Sequence, residues 1–104
     1  MAYTPEVKPI PVIFRADRRK HPDITAVFPT EPASTLHPDL MVCYAHVGQH
    51  GSCSLEWYMH TRPAKPEEYA ALKAELENQV GYKLRVCQRI TAGHRDTFRA
   101  ARAD

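Results

Sequence analysis

The chain is short of cysteine and glycine and has no long apolar run. Its three cysteines, Cys43, Cys53 and Cys87, form an odd and irregularly spaced set. A disulfide framework needs paired cysteines, so the count points to a reducing, cytoplasmic compartment. No apolar stretch approaches the roughly 20 residues of a membrane span. The opening residues, Met1-Ala-Tyr-Thr-Pro-Glu, lack the apolar centre of a signal peptide, which argues against secretion and against a membrane partner. Only four glycines occur in the sequence, and each falls where an element is expected to start or stop. Internal repeats and low-complexity segments are also missing.

What is present suits one small domain. The 104 residues are 43% hydrophobic and 25% charged, enough for a single modest core. The formal net charge is +2, and the surplus sits in residues 81–104. A second basic cluster is Arg15, Arg18, Arg19 and Lys20. Both clusters suit an anionic partner. Nucleic acid is not favoured, because a pI near 8.5 falls below the footprint of a dedicated nucleic-acid binder.

Seven of the nine prolines lie within residues 1–38. Residues 1–9 are expected to lead in as an extended arm. Ile10–Ala16 and Ile24–Phe28 read as two strands of a hairpin, with Asp17–Asp23 as the turn. Pro11 restricts the first strand to an edge or to its own first residues. Leu40–Val47 reads as a third strand, ended by Gly48 and Gly51. Leu55, Tyr58 and Met59 have helical spacing, capped by Ser52 or Ser54, although a strand stays open for residues 53–61. Pro66-Glu-Glu opens the clearest helix, with Tyr69, Leu72, Leu76 and Val80 on one stripe and Gly81 as its stop. Tyr82–Ile90 alternates as a strand, with Tyr82, Leu84, Val86 and Ile90 inward and Lys83, Arg85 and Arg89 outward. Residues 93–104 read as a basic tail or short helix. The order β-β-β-α-α-β over residues 10–92 predicts an α+β domain: a mostly antiparallel sheet of about four strands with helices on one face.

The segments Cys43-Tyr-Ala-His-Val-Gly-Gln-His, Thr61-Arg-Pro-Ala-Lys-Pro-Glu-Glu-Tyr69 and Gly81-Tyr-Lys-Leu-Arg-Val resemble a family of small uncharacterised bacterial proteins, often carried on phages and mobile elements. The resemblance spans about residues 10–92. It brings no established activity and no catalytic residue. It implies an accessory role, such as binding a host defence component or sequestering a small molecule.

One loop concentrates reactive residues. His46, Gln49, His50, Ser52 and Ser54 are the expected contacts for an anion, joined by outward Arg85 and Arg89. The set Cys43, His46, His50 and Cys53 has zinc-compatible residue types, but strand alternation separates Cys43 from His46. Cys53 with His50 as base would make a Cys–His enzyme, with Asp23, Asp39 or Glu56 as orienting carboxylate. The plain alternative is a capped turn with ordinary packing cysteines. The expectation is therefore a non-enzymatic binding protein for a protein partner or a small anion such as a nucleotide, with homo-oligomerisation open. A zinc-dependent hydrolase or Cys–His enzyme built on His46–Ser54 is the alternative. No metal or cofactor is assigned.

Overall fold

The computed structural model describes residues 8–45 and 50–103. The chain forms β1 (Ile10–Ala16), β2 (Ile24–Pro32), β3 (Met41–Tyr44), β4 (His50–Cys53), α1 (Leu55–Met59), β5 (Arg62–Pro63), α2 (Pro66–Glu75), a π-helical turn (Leu76–Val80), β6 (Leu84–Val86) and α3 (Ala92–Ala103). It is a single α+β domain. The sheet has six strands in the order β4-β3-β2-β1-β5, with β6 also on β1.

β1 pairs with β2 antiparallel from Ile13↔Val27 to Ala16↔Ile24. Extending that register would set Pro11 against Pro29, and neither has an N–H to donate. On its other side β1 changes partner halfway. Ile10–Val12 runs parallel to β6, while Arg15 and Ala16 face β5 antiparallel. The prediction of a mostly antiparallel sheet holds, with β6 as its parallel exception.

Alternation along the strands makes two apolar faces rather than one. Val12, Phe14, Ala16, Ala26, Phe28 and Tyr44 meet Leu72 and Leu76 of the α2 region. Ile13, Val27, Met41 and Cys53 meet Phe98 of α3, with Leu55, Trp57 and Tyr58 of α1 alongside. The expectation of helices on one face is thereby corrected. Of the two readings of residues 93–104, tail or short helix, the helix forms: α3 carries a wholly buried phenylalanine and closes the second face.

Local chemistry accounts for the boundaries. Pro66 starts α2, and Glu67 and Glu68 sit in its first turn. Tyr69 stacks on Phe14, with centroids 4.3 Å apart. The last turn widens: the Gly81 N–H reaches the Leu76 carbonyl at 2.9 Å, an i→i+5 bond. Gly81 then takes a left-handed φ of 93°, which its missing Cβ permits. The wider turn changes the phase of the stripe, so Leu76 stays buried while Val80 is exposed. The fourth strand is shorter than expected. Only Leu84–Val86 pairs with β1, and Ile90 crosses to the second face.

Candidate functional site

The expected anion loop is largely used for structure. His46 and Gln49 lie outside the described residues. Gly51 and Ser52 do not form a helix start, since β4 runs from His50 to Cys53 and pairs with β3 from Tyr44↔His50 to Met41↔Cys53. Ser54 is the N-cap of the five-residue α1, accepting from the Trp57 N–H at 3.0 Å. That bond satisfies a free helix donor, as the plain reading requires. His50 stands edge-on to the Tyr44 ring at 4.8 Å, and its Nε2 is 3.3 Å from the Tyr82 hydroxyl.

The same strand register separates the enzyme candidates. His50 and Ser52 point to one face of β4, while Gly51 and Cys53 point to the other. His50 packs with Tyr44 on the α2 side, and Cys53 packs with Met41 on the α3 side. A Cys53–His50 pair does not form. No group of three or more His, Cys, Asp or Glu side chains placed to hold a metal occurs among the described residues. Arg85 is also separated from the loop by the width of the sheet. Arg85 lies in β6 on one edge of the sheet, and β4 forms the opposite edge.

A cysteine–histidine contact does occur elsewhere, and sequence reasoning missed it. His94 Nε2 lies 3.8 Å from Cys87 Sγ. Thr91 precedes α3, and its Oγ1 accepts from the His94 N–H at 3.1 Å. In return the Thr91 N–H donates to His94 Nδ1, also at 3.1 Å. This is a capping box with histidine in place of the usual Glu or Gln. The bond fixes the tautomer: Nδ1 accepts, so the neutral ring carries its proton on Nε2. That proton points to Cys87 Sγ, whose thiol donates onward to the Arg85 carbonyl at 3.6 Å. A general base would need a lone pair on Nε2, so the polarity of the chain opposes catalysis.

His94 is buried, and burial with the nearby Arg85 charge lowers its pKa. The unfolded chain therefore binds a proton that the folded chain resists. Stability from this group is complete above its unfolded pKa of about 6.5 and declines as pH falls toward the lower folded value. Denaturant melts between pH 7.5 and 5 should show that decline. His94→Gln keeps an acceptor for the Thr91 N–H and should flatten the curve over this window. An unchanged slope would assign the dependence to other groups. Asp17 and Glu68, both held down to about 2, titrate far below it.

The three arginines of the Arg15, Arg18, Arg19 and Lys20 cluster are also absorbed by the fold. Arg15 is only 8% exposed. Its Nε donates to Thr61 Oγ1 at 2.8 Å and its Nη2 to the Thr61 carbonyl at 2.6 Å. The guanidinium lies 4.2 Å from the Tyr58 ring centre. Arg18 donates to the His60 carbonyl at 3.3 Å. Arg19 is clamped by Asp17 at 2.7 Å and by Asp23. These cations secure the end of α1 and the β1–β2 turn.

The C-terminal basic cluster keeps open capacity. Arg95, Arg99 and Arg102 recur at i, i+4 and i+7 along α3, a spacing that aligns them on one helix face. With Pro38, Asp39 and Phe98 they line a cavity of about 340 Å³. Arg95 lies over the Phe98 ring at 4.9 Å and reaches Asp39 only at 3.7 Å. Its Nη1 is buried and has no hydrogen-bond partner among the described residues. Arg102 donates to the Thr35 carbonyl at 3.2 Å, and Arg99 pairs with Asp96 at 3.2 Å. The C-terminal charge surplus, with its arginines at helical spacing, is the sequence signal for this site.

Comparison with known protein families, curated proteins and solved structures gives no match for this chain.

Proposed function

We propose that this chain is a non-enzymatic accessory protein that binds a small phosphate-bearing anion in the cavity beside α3. The observation that carries the reading is Arg95, which lines the cavity together with Arg99 and Arg102 and whose buried Nη1 has no hydrogen-bond partner among the described residues. A buried guanidinium nitrogen without an acceptor is costly, and a phosphate oxygen is the acceptor that planar guanidinium groups match best. Asp39, mostly exposed, is too far from Arg95 to satisfy that group.

This site replaces the His46–Ser54 loop as the preferred anion contact, because Ser54 and His50 of that loop already have partners. It also supports a small ligand over a protein partner. Among the described residues the large exposed apolar side chains, Leu36, Met59 and Val80, come from three separate segments and give no argument for a docking patch.

Calorimetric titration with ADP and with inorganic pyrophosphate at low salt tests the reading. We expect saturable binding that weakens as salt rises. Arg95→Gln and Arg102→Gln should each weaken it about tenfold, the scale of one lost charge-assisted hydrogen bond. Absence of binding to either probe, or binding indifferent to both substitutions, refutes the assignment.

A further inference from the structure

Cys43 and Cys53 lie on neighbouring strands and on the same face of the sheet. The register sets Cys43 opposite Gly51 and Met41 opposite Cys53, so the two cysteines are diagonal neighbours. Gly51 has no side chain to stand over Cys43, and a Cβ there would lie 3.7 Å from the Cys43 sulfur. Both cysteines line a groove of about 400 Å³ with Leu40, Ala45, Ser54 and Trp57. The neighbouring Cys53 thiol, with the Gly51 N–H, holds the Cys43 thiol below its ordinary pKa against the opposing effect of burial. The Cys53 thiol is pushed up by its nearness to Cys43 and by burial.

We propose that Cys43 and Cys53 form a two-coordinate site for a thiophilic d10 cation of the Cu(I) class. Soft thiolates select such ions. Among the described residues only two thiols converge here, which falls short of the four that a structural zinc site uses. Diagonal positions on antiparallel strands have Cα atoms about 7–8 Å apart, beyond the reach of an unstrained disulfide. A metal ion spans that gap more easily, because each metal–sulfur bond adds about 2.3 Å to the bridge. Binding would release the thiol protons to solvent and needs no oxidant. The site is separate from the arginine cavity and stands whether or not that cavity binds an anion.

The test uses the reduced, full-length chain without oxygen. Cu(I) is titrated against a colorimetric Cu(I) chelator, and thiol alkylation is then mapped by mass spectrometry in loaded and unloaded protein. The expected result is one Cu(I) per chain, with alkylation slowed at Cys43 and Cys53 and unchanged at Cys87. Cys43→Ser should lower the affinity by at least about 100-fold, the upper end of what losing a mere outer-shell partner costs. Zn(II) binding as tight as Cu(I), protection at Cys87, or no competition with the chelator overturns the proposal. So does ready formation of a Cys43–Cys53 disulfide with oxidised glutathione, which would make the pair a redox couple instead. The mapping on the unmodified chain decides the matter even if Cys43→Ser fails to fold.

Discussion

Phe98→Ala should cost about 3–5 kcal/mol, the range for truncating a buried aromatic ring. Phe98 is 1% exposed and belongs to the cluster formed by Ile13, Val27, Met41 and Cys53. It is the apolar side chain by which α3 enters that core. For a domain of this length the loss lowers the melting temperature by about 4–8 °C per kcal/mol. The effect reaches function as well, because Arg95 rests on the Phe98 ring and the ring itself lines the arginine cavity. Thermal melts and ADP titration should therefore fail together. A loss under about 1 kcal/mol would mean that α3 does not close the second face. Full stability loss with unaltered ADP affinity would detach the ligand from α3.

Leu76→Ala is the matching experiment on the other face, with an expected cost of about 2–5 kcal/mol. Leu76 is fully buried against β1 and β2 residues, and its carbonyl receives the N–H groups of Gly81 and Tyr82, both at 2.9 Å. Alanine keeps those backbone bonds and removes only the packing. Urea unfolding should show an earlier midpoint with an unchanged slope. A cost below about 0.5 kcal/mol, typical of surface positions, would contradict the burial of this helix face.

The sequence made the α+β class legible through strong local signals. Pro66 and the acidic first turn marked α2, and Gly81 marked its end. Alternation in Ile10–Ala16 and Ile24–Phe28 marked the hairpin. The second apolar face was harder to see. Its members are spread over β1, β2, β3, α1 and α3, and α3 offers only Phe98 as a large apolar anchor among charged residues. β4 was hidden because His50-Gly-Ser-Cys has little strand propensity. Its pairing with β3 is a tertiary effect rather than a local one. The candidate site failed to show for a related reason. His94 caps α3 in a role usually held by Glu or Gln, so its motif looked empty. Arg15 reads as one more surface cation until Thr61, 46 positions away, turns out to bind it.

The changing partnership of β1 has a consequence for synthesis on the ribosome. The β1–β2 hairpin and its β3 extension need only the first part of the chain, so they can assemble early. The free edge of β1 then has to wait for Arg62–Pro63 and afterwards for Leu84–Val86. During that interval an unfinished sheet displays unpaired strand groups beside an uncovered apolar surface, the condition that favours intermolecular association. Pro11 offers no N–H of its own. Translation pauses between these segments should therefore lower the soluble yield, and chaperone occupancy should fall once α3 has emerged.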